Sequence, residues 1–369
     1  MKVLQLSKLF PPFWGGIETV VYDTSVELKN KDIDVDVLCV SDGNKSSVDY
    51  IDGIKVFRCS SFLHLASVYL SISYVLRWFG IRNDYDLIHV HLPNPLAMLA
   101  MFIFRTKAKI ILHWHSDIVK QRFLKIPFIP IQKWLLEKAD SIIVTSQCYA
   151  DASTDLAKYK NKIVVIPIGI SDKVLSVNTD YSVNLLKKYP NKKIIFSLGR
   201  HVYYKGFEYL VESAKYLPDD YIILIGGVGE LTESLKGKIN EYNLNTKVKL
   251  LGKIPADQLG TYYSCCNVFC LPSIERSEAF GVVQLEAMSF GKPIVSTNIV
   301  GSGVPWVNKD GITGKVVPIK DAKALANACV DVVFDNKLKE DNILTHFKNN
   351  YIRDIMVDST LGLYQKVMA

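Results

Sequence analysis

Two glutamates stand out in one short, mostly apolar segment of the chain. Glu278 and Glu286 lie eight positions apart in SEAFGVVQLEAMSFGKP. A carboxylate among apolar neighbours is costly to desolvate without a partner, which disfavours the view that Glu286 is merely a solvated helix position. A carboxylate accepts hydrogen bonds from the hydroxyl groups of a ribose or a hexose. The pair therefore predicts a site for a ligand that carries several hydroxyl groups.

The local pattern also predicts how the two glutamates are presented. The apolar run at 268–271 predicts a buried strand, followed by a loop and then a helix that starts near Gly281. Glu278 then falls in the loop, and Glu286 falls about a turn and a half inside the helix. The free backbone N–H groups of Phe280 and Gly281 would face a bound anion at the helix start.

Two cations in the second half predict a partner for such an anion. Arg200 and Lys205 lie in SLGRHVYYKG, directly after a strand-like run and before a helical pattern. Arginine offers a two-pronged fork to phosphate oxygens and lysine a mobile point charge, so the pair suits a diphosphate. Gly15 and Gly16 occupy the matching strand-to-helix position of the first half and would let an anion approach a helix N-terminus, although a tight turn alone also explains them.

Short β-branched runs alternate with longer helical patterns along the chain, which predicts parallel sheets flanked by helices. The runs of the first half lie at 2–6, 35–40, 54–58, 87–91, 109–113, 141–144 and 163–166. Those of the second half lie at 193–199, 221–227, 248–252, 268–271, 292–296 and 315–318. The predicted fold class is α/β, with two Rossmann-like, doubly wound parallel-sheet domains that face a central cleft.

The expected domain boundaries follow from this alternation. The first domain spans 1–170, a polar linker spans 171–190 and the second domain spans 191–349. A final helix is expected at 350–369. A chain of 369 residues with 49% hydrophobic content is long enough for two such domains.

The cysteines and acidic pairs do not predict a metal site. The seven cysteines mostly lie in apolar runs without a CxxC spacing, and no histidine cluster at metal spacing is expected. The two DxD strings, at 34–36 and 84–86, fall at the amino ends of strands, away from the expected ligand edge. Free cysteines and a start that runs straight into a strand predict a reducing, cytoplasmic location.

The charge pattern suggests contact with a membrane surface. The most apolar window, 62–80, is interrupted by His64 and Arg77, so no spanning helix is expected. Net charge is +7, too modest and without a recognised module to predict nucleic-acid binding. A basic patch near exposed aromatic residues would suit an anionic inner leaflet, but could equally be a solvated face. The patch comprises Arg105, Lys107, Lys109, Lys120, Arg122 and Lys125, beside Trp114, Phe123 and Phe128.

Several motifs in order resemble one family. They are GGIE at 15–18, HSD at 115–117, SLGRHVYYKG at 197–206 and the E-x7-E pair within LPSIERSEAFGVVQLEAMSFGKPIVST. Together they resemble the retaining family 4 glycosyltransferases of the GT-B fold, over nearly the whole chain. The resemblance is strongest to bacterial members that build O-antigen or other surface polysaccharides, many of them mannosyltransferases.

The resemblance implies a role for each matching residue of the second domain. Arg200 and Lys205 would hold the donor diphosphate and stabilise the charge of the departing nucleotide. Glu286 would bind the ribose, and Glu278 the hydroxyls of the transferred sugar. The backbone near the sugar and phosphate would be that of Phe280 and Gly281.

Further roles are implied for residues elsewhere in the chain. Gly15 and Gly16 would approach the donor phosphates, and His115 would line the reaction centre. Lys253 and Ile254 match the region that receives the nucleotide base. The C-terminal helix would cross back onto the first domain.

The resemblance implies retaining transfer without a metal or other cofactor. The leading expectation is mannose from GDP-mannose, moved to an undecaprenyl-diphosphate-linked oligosaccharide by a protein peripheral on the inner membrane face. A UDP-hexose or UDP-N-acetylhexosamine is the alternative donor. An epimerase shares the two-domain plan but not these motifs, and a non-catalytic scaffold that binds nucleotide-sugars remains an alternative of another class.

Overall fold

The computed structural model describes residues 1–41, 43–65, 68–117, 128–172 and 175–369. Two compact units make up the chain. Unit 1 consists of Met1–Ile168 together with Arg353–Ala369, and unit 2 is Gly169–Ile352. Each unit is an α/β body built on its own sheet.

Unit 1 contains an eight-stranded sheet in the order β10-β9-β8-β7-β1-β2-β4-β3. Its strands pair in parallel, except that β3 runs antiparallel to β4. The central strands are buried along almost their whole length, as expected where helices cover both faces of a sheet. The strands are β1 Lys2–Leu6, β2 Asp34–Val40, β3 Ser47–Ile51, β4 Ile54–Cys59, β7 Leu87–Leu92, β8 Lys109–Trp114, β9 Ser141–Val144 and β10 Ile163–Val165, with a hairpin of β5 Leu63–Leu65 and β6 Val68–Leu70.

The helices that the structure describes in unit 1 lie between these strands along the chain, except for the C-terminal helix. They are α1 Gly16–Asn30, α2 Ile72–Ile81, α3 Pro95–Ile103, α4 Ile129–Lys138, α5 Gln147–Ala152 and, from the other end of the chain, α14 Arg353–Met368. Helix α14 packs against α1, and its first residue, Arg353, forms ion pairs with Asp23 at 3.0 Å and Glu27 at 2.5 Å. The C-terminal helix is thus an integral part of the first unit.

Unit 2 contains a six-stranded, fully parallel sheet in the order β13-β12-β11-β14-β15-β16. Its strands are β11 Lys193–Leu198, β12 Tyr221–Gly226, β13 Val248–Gly252, β14 Val268–Leu271, β15 Ile294–Thr297 and β16 Gly314–Val317. Its helices are α6 Thr179–Lys188, α7 Phe207–Ser213, α8 Thr232–Glu241, α9 Ala256–Cys265, α10 Val283–Met288, α11 Val304–Val307, α12 Ala322–Phe334 and α13 Glu340–Asn350. The carboxyl ends of all six strands therefore lie at one edge.

The stretch expected as a polar linker at 171–190 contains helix α6, which packs against α9. Asn178 caps α6 by accepting a hydrogen bond from the Tyr181 amide at 2.9 Å. The Tyr181 and Tyr262 hydroxyls lie 2.6 Å apart, and Leu185 is buried. The helix was not predicted because it buries only one narrow face, so most of its residues are polar.

Each run predicted as a strand has a counterpart in the two sheets. The sequence pattern missed β3 and the β5–β6 hairpin, which are short or largely exposed. Exposed edge strands lack the continuous apolar run that identifies a buried strand.

Candidate active site

The loop from β14 to α10 carries both glutamates. Glu278 lies in the loop, as predicted, but Glu286 lies in the first turn of α10, not a turn and a half inside a helix. The reason is Gly281, whose φ of +76° is outside the helical region and delays the helix start to Val283. Glu286 is consequently closer to the start of the helix than the sequence suggested.

Glu278 forms an ion pair with Lys205. The Lys205 Nζ lies 2.6 Å from Glu278 Oε2, and Ser273 Oγ donates to the same oxygen at 3.1 Å. Their side chains are only 10% and 12% exposed, so water screens the pair little. A residue expected to bind phosphate and one expected to bind sugar thus form an ion pair with each other.

The position of Lys205 depends on a backbone that only glycine allows. Lys205 ends a short 3₁₀ turn, Tyr203–Lys205, and Gly206 follows with φ of +64°. A Cβ added to Gly206 would lie 2.1 Å from the carbonyl oxygen of Pro272. This close approach brings the β11 loop against the loop that carries Glu278.

Hydrogen bonds also hold the backbone around Glu278. The Ser302 hydroxyl donates to the Glu278 carbonyl, and the Gly303 amide donates to the Ala279 carbonyl at 2.7 Å. Tyr203 donates through its hydroxyl to the Glu275 carboxylate at 2.6 Å. The carboxylate of Glu278 is therefore presented from a fixed loop, as a binding site requires.

Glu286 is held by a tyrosine that sequence analysis did not identify. Tyr263, fully buried in α9, donates its hydroxyl to Glu286 Oε2 at 2.5 Å. Burial raises the pKa of Glu286 above its ordinary value, while the Tyr263 hydrogen bond and the charge of Lys205 oppose that rise. A tyrosine within an amphipathic helix is usually a core residue, so the sequence offered no way to single it out.

Other predicted donor residues lie at the same edge of the unit 2 sheet. Arg200 follows β11 and is exposed, and its guanidinium makes no hydrogen bond or ion pair within the ranges that the structure describes. Lys253 and Ile254 follow β13; Lys253 is exposed, while Ile254 packs close to Gly226 at the end of β12. Arg200, Lys253 and the Glu278 loop therefore follow three strands whose carboxyl ends share one edge.

In unit 1, the predicted glycine pair starts α1. Gly15 is the N-cap residue and Gly16 the first helical residue. The Glu18 carboxylate folds back over this end, since a Cβ on Gly15 would lie 2.4 Å from Glu18 Oε2. Burial lowers the pKa of the nearby Lys8, and the negative charge of Glu18 partly offsets this decrease. A phosphate could reach these amides only after Glu18 turned aside.

His115 follows β8 and is buried within a group of four histidines, which we call the histidine cluster. His89 and His91 lie on β7, and His113 and His115 lie on or just after β8. All four are buried, and their rings stack, with centroids 4.0 Å apart for His113 and His115. The sequence analysis expected no histidine cluster at metal spacing, yet the fold brings three of these side chains together with ligand nitrogens within 4.8 Å of one another. The strings HVH and HWH place two histidines on one face of each strand, but only the pairing of His91 with His113 brings the strings together.

The histidine cluster does not have the geometry of a preformed metal site. Ligand nitrogens of His89, His91 and His113 lie within 4.8 Å of one another. Both nitrogens of His91 are already in hydrogen bonds, to Gln5 and His115. The rings of His89 and His113 are parallel within 3°, so their in-plane lone pairs do not converge on one point.

The histidine cluster predicts a loss of stability in mild acid. Burial lowers the pKa of His113 to about 3 and those of His89, His91 and His115 well below the ordinary value. In the unfolded chain these groups titrate near 6.5, so below that pH the unfolded state binds more protons, and stability falls as pH drops from about 6.5 towards about 3. Each buried histidine contributes at most about 1.4 kcal/mol per pH unit.

Denaturant unfolding at pH 7.5, 6.5 and 5.5 measures this slope above the ordinary pKa range of carboxylates. A His113→Leu variant should show a shallower slope than wild type, because one buried titrating group is removed while the apolar packing is kept. Equal slopes for the two proteins would contradict the assignment of the acid sensitivity to the histidine cluster.

Part of the predicted basic and aromatic patch differs from expectation. Trp114 is buried, not exposed, and donates through its indole N–H to Asp117 at 2.8 Å. Arg105, Lys107 and Lys109 are exposed, and Phe128 is half-buried. Lys120, Arg122, Phe123 and Lys125 lie outside the described residues.

The acidic strings and cysteines have structural environments. Asp36 accepts a hydrogen bond from the Tyr85 hydroxyl at 2.7 Å, and Asp86 accepts one from the Lys2 amide at 2.7 Å, both at the amino ends of strands. All seven cysteines are free. Among the helices that the structure describes, none is long and apolar enough to cross a membrane.

Comparison with known proteins connects this geometry to a family. The model of the family described as Glycosyltransferase Family 4 matches residues 14–174, and that of Glycosyl transferases group 1 matches residues 182–345. The chain is 28% identical over 374 aligned residues to O-antigen chain mannosyltransferase C of Escherichia coli, covering 100% of this chain and 99% of the relative. It is 28% identical over 329 residues to D-rhamnosyltransferase WbpZ of Pseudomonas aeruginosa, covering 89% and 85%.

The fold agrees with these matches. The crystal structure of Anabaena Alr3699/HepE in complex with UDP and glucose superposes with a TM-score of 0.80 at 18% identity, covering 99% of each chain. The two family matches fall one on each side of residues 175–181, and together they span most of the chain. The chain belongs to the family 4 glycosyltransferases of the GT-B fold.

Proposed function

We propose that this glycosyltransferase moves a hexose, with mannose from GDP-mannose as the leading choice, to a lipid-linked oligosaccharide during surface-polysaccharide synthesis. The observation that carries the proposal is the Lys205–Glu278 pair beside Glu286 at the carboxyl edge of the unit 2 sheet. This edge combines cations for a diphosphate with carboxylates for hydroxyl groups. The likeness to an O-antigen chain mannosyltransferase supports the choice of mannose and of the acceptor class.

In the proposed donor complex, Arg200 and Lys205 hold the diphosphate. Lys205 exchanges its contact with Glu278 for a phosphate oxygen, and Glu278 then accepts hydrogen bonds from the sugar. Glu286, oriented by Tyr263, accepts hydrogen bonds from the ribose. The backbone N–H groups of Phe280 and Gly281 face the phosphate and sugar, and Lys253 and Ile254 receive the base.

The proposed reaction retains the configuration at the anomeric carbon. The bond from that carbon to the phosphate oxygen breaks, and a bond to the acceptor oxygen forms on the same face. The acceptor proton passes to the departing phosphate, whose negative charge Arg200 and Lys205 stabilise. His115 lines the reaction centre, and Gly15 and Gly16 approach the donor phosphates. No metal or other cofactor takes part in this proposal.

A UDP-hexose or UDP-N-acetylhexosamine is the second candidate donor, which the UDP and glucose bound to HepE favour. A panel of GDP- and UDP-sugars, assayed for nucleotide release with and without membrane-extracted lipid-linked acceptor, separates the candidates. Acceptor-dependent release from GDP-mannose that persists in EDTA would support the proposal. Tight nucleotide binding without release, even with the native acceptor, would instead favour a non-catalytic scaffold.

We further propose that unit 1 docks on the anionic inner leaflet through the exposed side of α2. Helix α2 buries Tyr74, Trp78 and Ile81 but exposes a second apolar face. That face, Ile72, Leu76 and Phe79, is 65%, 62% and 46% exposed. Phe62, Leu63 and Leu70 of the adjacent hairpin region are also exposed.

Charge around this face favours an anionic lipid surface. Between residues 53 and 116 the sequence has two acidic residues, Asp84 and Asp86, against seven basic ones. The Arg82 guanidinium lies 4.3 Å from the centroid of the Phe79 ring and donates to the Arg105 carbonyl, so cations border the apolar face. Apolar side chains bordered by cations suit the interface of an anionic bilayer.

A double variant, Leu76→Gln with Phe79→Gln, tests this surface by vesicle co-sedimentation. Affinity for vesicles containing phosphatidylglycerol is expected to fall at least about tenfold, because two apolar side chains no longer enter the interface. Leu186→Gln, at a residue 50% exposed on α6 of unit 2, is the matched control and should bind like wild type. Unchanged binding of the double variant would overturn the assignment of this face.

A further inference from the structure

A buried chain of hydrogen bonds connects the C-terminal helix to His115. Gln5 Nε2 donates to the Tyr364 hydroxyl at 3.3 Å, and Gln5 Oε1 lies 2.8 Å from His91 Nε2. His91 Nδ1 lies 3.0 Å from His115 Nε2. The four side chains belong to α14, β1, β7 and the end of β8, and none is more than 6% exposed. Water therefore has little access to any of these bonds.

The chemistry of Gln5 determines where the protons lie. Its amide nitrogen donates to Tyr364, so the atom that faces His91 is the carbonyl oxygen, which only accepts. His91 Nε2 must therefore carry a hydrogen. A neutral imidazole has one N–H, which leaves His91 Nδ1 as an acceptor and makes His115 Nε2 the donor across the 3.0 Å contact.

Both rings are neutral because burial and the neighbouring histidines lower the pKa values of His91 and His115 well below the ordinary value. With its single hydrogen on Nε2, His115 has an unprotonated Nδ1. The second branch of the network agrees with this direction. The Tyr364 hydroxyl accepts from Gln5, so its own hydrogen is available to His89 Nδ1, which lies 2.5 Å from the hydroxyl oxygen.

We propose that Tyr364, Gln5 and His91 are positioning residues that hold His115 as the Nε2–H tautomer, so that its Nδ1 accepts a hydrogen bond from a hydroxyl group of the transferred sugar. The use of His115 in transfer rests on the proposed function; the tautomer itself does not. The C-terminal helix then has a chemical role in addition to its packing, because Tyr364 fixes the direction of the Gln5 amide. Orientation of a histidine by the group behind it is a general way to set which nitrogen faces a substrate.

Histidine-selective ¹⁵N labelling tests the tautomer directly. Long-range ¹H–¹⁵N spectra distinguish a protonated from an unprotonated ring nitrogen, and a His115→Gln spectrum identifies the His115 signals. At pH 7.5, wild type should show His115 protonated at Nε2 and unprotonated at Nδ1. The opposite pattern in the wild-type protein would overturn the proposal.

Variants of Gln5 test whether the network sets the tautomer. Gln5→Leu removes the acceptor for His91, so His115 should populate both tautomers and kcat should fall about tenfold, as expected for one lost hydrogen bond, with the donor KM nearly unchanged. Gln5→Glu keeps an acceptor for His91 Nε2–H and should retain the wild-type tautomer and a higher kcat than Gln5→Leu. Tyr364→Phe keeps the aromatic ring but removes the hydroxyl. Its effects on the His115 tautomer and on kcat should have the same direction as those of Gln5→Leu but be smaller.

These measurements separate the inference from the proposed function. The predicted tautomer in a protein that transfers no sugar would contradict the proposed function but leave the network intact. Sugar transfer with an unchanged His115 tautomer in Gln5→Leu would contradict the network and leave the function intact.

Discussion

Replacing Lys205 by methionine is expected to lower kcat/KM for sugar transfer by about 10³-fold, because the preorganised cation that we propose stabilises the departing diphosphate is lost. Lys205 is largely buried against Glu278, and no hydration shell substitutes for it there. Methionine keeps most of the side-chain volume. The affinity for free GDP should also weaken, by about tenfold, since a charge-assisted contact to phosphate disappears.

A second ion pair of the same unit supplies the matched control. Lys236 and Glu233 lie 2.7 Å apart on α8, with side chains 54% and 82% exposed. Lys236→Met should leave transfer and GDP binding near the wild-type values, because a solvated surface pair contributes little. A loss of less than about tenfold in Lys205→Met would be too small for a preorganised phosphate ligand and would contradict its role.

Replacing Glu278 by glutamine is expected to separate transfer from nucleotide binding. The kcat of transfer should fall about 10²-fold, because the charged group that we propose accepts hydrogen bonds from the sugar hydroxyls becomes a neutral amide. Free GDP should bind as tightly as to wild type or more tightly, because Lys205 no longer has a carboxylate 2.6 Å away that competes with phosphate. A general loss of folding would weaken GDP binding together with transfer.

Isothermal titration with GDP, beside steady-state transfer assays, checks this pair of expectations. Glu233→Gln, the other half of the exposed pair on α8, is the control and should change neither quantity. If Glu278→Gln lost GDP affinity in parallel with transfer, Glu278 would be a nucleotide ligand and not a sugar ligand. The double variant Lys205→Met with Glu278→Gln should transfer sugar no faster than Lys205→Met, even if removing both charges of the largely buried pair leaves thermal stability near the wild-type value.

The sequence predicted which strands the candidate donor-site residues follow, but not which side chains contact one another. Apolar runs in the sequence indicate where strands end, so the residues that follow those runs could be assigned to one edge of a sheet. They are Arg200, Lys205 and Glu278. That Lys205 and Glu278 pair directly depends on two loops brought together where Gly206 contacts Pro272, which periodicity does not encode. The family resemblance implies that Lys205 binds phosphate and Glu278 binds sugar. That the two side chains form an ion pair with each other is visible only in the structure.

Contacts between strands and between helices account for other features that the sequence did not predict. The HVH and HWH strings were visible, but the histidine cluster depends on the register that pairs His91 with His113. Tyr263 donates to Glu286 from another helix. Because tyrosine is common in protein cores, its presence in the sequence did not indicate this contact. The depth of Glu286 was misjudged because a positive φ at Gly281 shortens the helix, and a glycine in sequence does not reveal its φ.

The most direct test of the account is transfer of labelled mannose. Wild-type protein is incubated with GDP-mannose labelled in the sugar and with membrane-extracted lipid-linked oligosaccharide, and label in the lipid fraction is compared with GDP released. Under the proposed function, the two amounts should be equal and the product should be α-linked, which is the configuration of the donor. GDP that binds tightly while no label reaches the native acceptor, or a β-linked product, would contradict it.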